Sequence, residues 1–199
     1  MDDALIILKG FNTGAKAAFV GIGSEIRGDD AVGVVIINRL EELSRISRED
    51  YTAGTQMVKA VHESPLGAKD ADNPRCIFIN GGSAPENILG EIRKFHPEII
   101  VFIDAALLGC APGTVRVIDT RREKISGVSF CTHSLPLAII ANYIRQTVPC
   151  EIYVIGIEPG EMNFRPDCTL TPHVAQAAEE IVEAVAVYAG LKQKTTELL

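Results

Sequence analysis

The chain lacks a long hydrophobic run and a surplus of positive charge. No apolar segment approaches the roughly 20 residues needed to cross a bilayer, and the start, Met1-Asp2-Asp3, has no basic region like that of a secretion signal. Its 26 acidic residues outnumber its 19 basic ones, which gives a net charge of −7. This balance argues against nucleic acid or an acidic membrane as a partner. We therefore expect a cytoplasmic protein without membrane insertion.

The sequence also lacks C-x-x-C pairs, internal repeats and low-complexity segments. Its five cysteines, an odd number, are most simply reduced and partly buried thiols. A length of 199 residues with 47% hydrophobic and 23% charged residues is typical of one globular domain. We predict a single domain over residues 1–199, with a long insertion around 45–75 and a C-terminal tail, 191–199, that we expect to be mobile.

A glycine loop that follows an apolar segment lacks the lysine of a phosphate-binding loop. Gly23 and Gly28 have the spacing of such a loop, but Asp29 and Asp30 replace its lysine and hydroxyl residue. Ile26 occupies the third glycine position of the dinucleotide-binding pattern. Because two carboxylates repel phosphate, the loop is suited to a cation or a proton. The alternative is that both aspartates merely cap a helix and complement its dipole.

Apolar strand patterns alternate with helical patterns along the chain. Helices between apolar strands imply a mostly parallel, twisted sheet with helices on both faces, which is a three-layer α/β sandwich. In the last helix, Thr171 is predicted as the cap and Pro172 as the first residue, with Gly190 near the end. The predicted strands are 17–20, 56–61, 76–79, 98–103, 114–118 and 151–157, and the other predicted helices are 2–9, 32–43, 85–95 and 135–147.

Several polar groups follow predicted strands, where an open α/β sheet places its functional crevice. Asp29-Asp30 follows the strand at 17–20, the turn Asn80-Gly81-Gly82 follows the strand at 76–79, and Asp104 follows the strand at 98–103, which we expect to stop there. His133 lies just before a helix. Two carboxylates and one imidazole can therefore converge, a set that suits nickel or zinc. The alternatives are that Asp104 only satisfies backbone N–H groups and that His133 only flanks a helix.

Other candidate groups have weaker support. Cys131, two residues before His133, suggests a Cys/His nucleophile, but no further residue supports that reading. His62, His96 and His173 have no comparable context, and we take them as surface or structural residues.

The glycine loop resembles the signature of the hydrogenase maturation proteases, which trim the large subunits of nickel–iron hydrogenases. Three later segments match that family in order, and the second of them is the acidic motif that contains Asp104. The resemblance extends over about residues 17–190, with its closest similarity to the branch that serves formate-hydrogenlyase-type enzymes. The four segments are Gly21 to Gly33, Gly81-Gly82-Ser83-Ala84-Pro85-Glu86-Asn87, Phe102-Ile103-Asp104-Ala105 and Thr132-His133-Ser134-Leu135-Pro136-Leu137.

The resemblance implies that Asp30, Asp104 and His133 are the catalytic, metal-contacting residues. It implies a substrate, the nickel-loaded precursor of a [NiFe] hydrogenase large subunit, from which a C-terminal peptide is removed. The nickel would be the substrate's own, not a resident cofactor. Asp29 would support Asp30, and Asp29, Gly81 and Gly82 form the predicted substrate-contacting group. We expect the protease to be a monomer.

Two mechanisms remain open at this stage. Metal beside the scissile bond could polarise the carbonyl or activate water, or nickel could only dock the substrate while Asp29 or Asp30 acts as general base. Two other functions also remain open, a nickel-sensing assembly chaperone without proteolysis and a metal-dependent hydrolase or aminopeptidase that holds its own zinc. One departure from the family is Asn80, which stands where an aspartate is usual.

Overall fold

A computed structural model describes residues 14–55, 74–120, 129–130 and 137–191 of the chain. Strands and helices alternate in these ranges, as the sequence predicts. The strands are β1 Ala17–Ile22, β2 Cys76–Gly82, β3 Ile99–Leu107, β4 Val115–Asp119, β5 Ser129–Phe130 and β6 Glu151–Ile157. The helices are α1 Val32–Thr55, α2 Leu89–Phe95, α3 Leu137–Thr147 and α4 Pro172–Ala189, with 3-10 turns at Gly28–Ala31 and Pro85–Ile88.

The sheet is mostly parallel, which confirms the predicted fold class. Its strand order is β2-β1-β3-β6-β4, and the pairs β2–β1, β1–β3 and β3–β6 are all parallel. At one edge β4 pairs antiparallel with β6, and the short β5 pairs antiparallel with the end of β3. The central strands β1 and β3 are buried along almost their whole length, because helices cover both of their faces.

Two hydrophobic clusters lie on opposite faces of this sheet. Along β1, Phe19 joins the cluster that contains α1 and α4, whereas its neighbours Ala18 and Val20 join the cluster that contains α2 and α3. This alternation follows from the two-residue period of a strand. The result is three layers with helices on both faces, as predicted. Within the described part of the chain, no helix is long and apolar enough to cross a membrane.

The boundaries of three elements differ from the prediction. β3 does not stop at Asp104 but continues to Leu107, because β6 and then β5 supply hydrogen-bonding partners beyond that point. The predicted turn at 80–82 is instead the end of β2. α1 runs to Thr55, so the chain is still helical ten residues after the predicted start of the insertion. The predicted helix at 2–9 and the predicted strand at 56–61 lie outside the described residues.

Candidate functional site

The glycine loop lets the start of α1 pack very closely against the carboxyl ends of β1 and β3. A Cβ atom on Gly33 would lie 2.1 Å from the carbonyl oxygen of Ile103, and one on Gly23 would lie 1.8 Å from the carbonyl oxygen of Asp30. Gly23 also has a φ of +144°, which side-chain-bearing residues rarely adopt. The glycines therefore serve close backbone packing, which holds the 3-10 turn with its two aspartates against the sheet.

Asp30 and Asp104 are both buried at the carboxyl end of the central strands. Their exposed fractions are 0% and 1%. Asp30 lies in the 3-10 turn after β1, and its Oδ2 accepts a hydrogen bond from the N–H of Ser24 at 3.1 Å. Asp104 lies in β3, one residue beyond Ile103, which is the last residue of β3 that pairs with β1. Asp30 therefore follows β1, and Asp104 lies in the neighbouring strand β3 at the level where β1 leaves the sheet.

Asp29 is also fully buried, but its carboxylate is bound by the protein itself. Its Oδ2 accepts hydrogen bonds from the N–H groups of Gly160 and Glu161 and from the hydroxyl of Thr171, each at 2.8 Å. Its Oδ1 accepts one from the N–H of Thr171 at 2.7 Å. The backbone N–H of Asp29 donates to the carbonyl of Glu161 at 2.9 Å. Four donors thus occupy both carboxylate oxygens, and they join the glycine loop to the segment between β6 and α4.

That segment, residues 158–171, is fixed beside the glycine loop by further contacts. Arg27 and Arg165 form an isolated parallel β-bridge, in which the N–H of Arg165 donates to the carbonyl of Ile26 at 2.9 Å. The side chain of Arg165 also pairs with Glu161 at 2.7 Å. At the start of the segment, the buried Glu158 carboxylate accepts hydrogen bonds from the N–H groups of Leu108, at 2.6 Å, and Cys110, at 3.2 Å.

Gly81 and Gly82 lie at the end of β2, next to the glycine loop. The N–H of Gly23 donates to the carbonyl of Gly82 at 3.0 Å. Asn80 accepts a hydrogen bond from the N–H of Gly82 at 3.0 Å through its Oδ1, which stabilises the left-handed φ of +53° at Gly82. A neutral amide performs this local role, so the asparagine that departs from the family pattern is accommodated here. The substrate contact predicted for these glycines stays a prediction.

His133 and Cys131 lie outside the described residues. Of the predicted set, the structure places Asp30 and Asp104 on elements that contact each other, the 3-10 turn and β3. No group of three or more His, Cys, Asp or Glu side chains that could hold a metal ion occurs among the residues that the structure describes. Two of the histidines that we take as surface or structural residues lie in the described part of the chain. His96 ends α2 in a left-handed conformation, and its N–H donates to the carbonyl of Ile92 at 3.0 Å. His173 is exposed near the start of α4.

Sequence reasoning missed how the segment 158–171 supports the site. It predicted Thr171 as a helix cap, and Thr171 does lie at that position, but its hydroxyl donates to Asp29 and accepts no capping hydrogen bond from the N–H groups of the helix. Gly160 and Glu161 bind Asp29 through backbone N–H groups. Backbone donors carry no side-chain signature, so no sequence signal could have identified these two residues.

This fold and site define a class of α/β proteins with a carboxylate-bearing glycine loop, and comparisons with known proteins identify the family. The profile of the hydrogenase maturation protease family HycI matches residues 58–187. A Methanocaldococcus jannaschii protein provisionally named a hydrogenase maturation protease is 29% identical, over 85% of this chain and 86% of its own length. The hydrogenase 3 maturation protease of Escherichia coli K12 is 29% identical, over 57% of this chain and 70% of its own.

A solved structure agrees with these sequence relatives. The [NiFe] hydrogenase maturation protease HycI from Thermococcus kodakarensis KOD1 superimposes with a TM-score of 0.70, at 29% identity, over 93% of this chain and 99% of that one. The chain therefore belongs to the hydrogenase maturation protease family. Its enzyme class is that of a peptidase.

Proposed function

We propose that this protease removes the C-terminal extension of a [NiFe] hydrogenase large-subunit precursor, and that it recognises nickel already installed in that precursor. The observation that carries the proposal is the burial of Asp30, in the 3-10 turn after β1, and of Asp104, in the neighbouring strand β3, at the carboxyl end of the parallel strands. Buried carboxylates are costly unless positive charge or hydrogen-bond donors compensate them. A divalent cation brought by the substrate would add positive charge opposite these carboxylates at the moment of recognition.

The types of side chain at this edge fit nickel as part of the substrate. Carboxylate and imidazole groups are common ligands of divalent transition metals. Asp30 and Asp104 supply two carboxylates, and His133 is the predicted third ligand. If these residues contact the precursor's nickel, the corresponding binding energy is available only with loaded precursor. Discrimination between loaded and unloaded precursor is then a difference of affinities.

The hydrogen bonds of Asp29 separate its role from that of Asp30. A general base must reach the proton that it abstracts. Asp29 and Asp30 are equally buried, but both oxygens of Asp29 accept hydrogen bonds, four in all, from Gly160, Glu161 and Thr171. We therefore assign Asp29 the supporting role and Asp30 the contact with substrate, whether Asp30 acts as a base or only binds nickel.

The deciding experiment mixes the protein with its hydrogenase large-subunit precursor, prepared with and without nickel, and follows the precursor by mass spectrometry. We expect the loaded precursor to lose a C-terminal peptide and the unloaded precursor to stay intact. Asp30→Asn, Asp104→Asn and His133→Ala should each abolish the mass loss. Glu179→Gln is the matched control, because it removes one carboxylate from the exposed face of α4, away from this edge. Equal cleavage with and without nickel would contradict the nickel-recognition part of the proposal.

The two alternative functions give different results in the same preparation. An assembly chaperone would bind the loaded precursor and leave its mass unchanged. A metal-dependent hydrolase with its own metal would retain zinc through purification, which elemental analysis detects. A substrate-nickel protease should carry little metal of its own and should not lose activity after treatment with a chelator that is removed before the loaded precursor is added.

A further inference from the structure

Two large apolar side chains are exposed on the glycine loop and on the segment 158–171 that binds it. Phe164 is 73% exposed and Ile26 is 50% exposed. Each residue precedes an arginine of the Arg27–Arg165 β-bridge, so the two occupy neighbouring positions on the paired segments. We refer to Ile26 and Phe164 as the apolar pair. Exposed apolar groups that lie together, with a polar surrounding, are a mark of interaction surfaces.

The backbone that carries the apolar pair is fixed to the site. Ile26 lies in the glycine loop, where the N–H of Ser24 donates to the carboxylate of Asp30. Phe164 lies in the segment that Asp29 binds through the N–H groups of Gly160 and Glu161. The carbonyl of Ile26 also accepts the N–H of Arg165. A surface whose backbone is held in place loses little further conformational entropy when a partner binds.

We propose that the apolar pair is a docking surface for the precursor segment next to the cleaved bond, and that it binds apolar side chains of that segment. This inference rests on the proposed function. One extended segment can reach both the apolar pair and Asp30, since the four Cα–Cα steps from Ile26 to Asp30 span at most about 14 Å. The charges around it are mixed, with Glu25 and Glu161 against Arg27 and Arg165. An apolar centre with a charge-balanced rim is the usual anatomy of a protein interface.

The size of the surface favours a peptide segment over a second copy of this chain. An aromatic side chain such as Phe164 buries about 150–250 Å², and the smaller isoleucine buries less, so the pair offers about 400 Å² at most. A specific dimer interface needs about 800 Å² per partner. Two apolar anchors are instead typical of a short extended segment that binds in register with a reacting group.

The test measures precursor cleavage by Ile26→Ser and Phe164→Ser at a series of nickel-loaded precursor concentrations. Each variant should raise the half-saturating concentration about tenfold and leave the maximal rate within about twofold of wild type. Val187→Ser is the matched control. Val187 is 72% exposed, but it lies at the far end of α4, next to Tyr188, whose hydroxyl donates to the carbonyl of Ala15 before β1. The control should cleave like wild type.

Several outcomes would overturn the docking surface. One is wild-type kinetics in Phe164→Ser, and another is an equal loss in Val187→Ser. A fall in maximal rate without a change in half-saturation would also contradict it. A dimer that Phe164→Ser converts to a monomer would assign the pair to a second copy. Retention of precursor on the immobilised protein is measured in parallel. If the wild-type protein retains precursor without cutting it, the proposed function is wrong. The docking surface is then judged by whether the Ile26→Ser and Phe164→Ser variants retain less precursor than wild type.

Discussion

The carboxylate of Asp29 accepts hydrogen bonds from both the backbone N–H and the hydroxyl of Thr171, which follows it by 142 residues in the chain. The distances are 2.7 and 2.8 Å, in the range of hydrogen bonds to a charged group. Thr171 is the N-cap residue of α4, and Asp29 precedes the catalytic candidate Asp30. One buried carboxylate thus links the start of the last helix to the loop that positions the site.

We predict that Asp29→Asn destabilises the protein by about 3 kcal/mol. An asparagine offers one acceptor oxygen and one NH₂ group, so at least one of the four donors that now bind Asp29, the N–H of Thr171 at Oδ1, would face another donor in a buried place. Thr171→Val should cost less, about 1 kcal/mol, because it removes one of the four hydrogen bonds and leaves the carboxylate charged. Urea unfolding of both variants measures the two values. Equal costs would contradict the role of the charge.

We predict that Gly33→Ala is strongly destabilising, by about 3 kcal/mol, because its Cβ would lie 2.1 Å from the carbonyl oxygen of Ile103. Relief of this clash must move the start of α1 away from β3, and the precursor cleavage rate should fall as well. Gly90→Ala is the control, since a Cβ there meets no atom within 4 Å and should stabilise α2 by about 0.5 kcal/mol. A tolerated Gly33→Ala would show that the glycine is not required for packing.

The ionised carboxylate of Glu41 should lower the folding stability of the protein at neutral pH. Burial raises the pKa of Glu41, and the negative charge of Glu91 raises it further. A pKa that is higher in the folded state makes folding stability fall as pH rises from the ordinary glutamate value through the raised one. Glu41→Gln removes this cost, so it should raise the melting temperature at pH 7 but not at about pH 3.5, where glutamate is mostly protonated in both states.

The neighbouring Glu42 is a control for Glu41. Its carboxylate pairs with Arg39 at 2.6 Å on the exposed surface. Removal of that pair by Glu42→Gln should not raise the melting temperature. If both variants raise it equally at pH 7, a general reduction of negative charge explains the gain, and the burial of Glu41 does not.

The cysteines should differ in reactivity. Burial raises the pKa of Cys76 and of Cys150 to about 11. Because the thiolate is the reactive form, only about one in a thousand of these groups is reactive at pH 8. Cys110 is exposed. Iodoacetamide at pH 8 should therefore label Cys110 in the native protein and label Cys76 and Cys150 only after unfolding, as peptide mass mapping can show. Rapid native labelling of Cys150 would contradict this.

Much of the architecture follows from local pattern. The apolar, β-branched runs of β1, β3 and β6 and the helical spacing from Val32 to Leu43 indicated the parallel sheet and its covering helices, because those periodicities arise from backbone geometry alone. The end of β3 beyond Asp104 and the end of α1 at Thr55 do not follow from local pattern. β3 continues past Asp104 because β6 and β5 provide partners, and partners distant in sequence leave no local signal.

The candidate site, like the fold, has some features that the sequence predicts and others that only the tertiary structure decides. The sequence by itself determined that the glycine loop delivers carboxylates and not a lysine, since charge and residue type are written in the chain. Tertiary structure decided what each aspartate does. Asp29 and Asp30 are adjacent and chemically identical, yet Asp29 accepts hydrogen bonds from four donors of the segment 158–171, whereas Asp30 accepts one from Ser24 within the glycine loop, in the turn that packs against β3. The reason is that a buried carboxylate takes its role from its surroundings, and folding brings those together from distant parts of the chain.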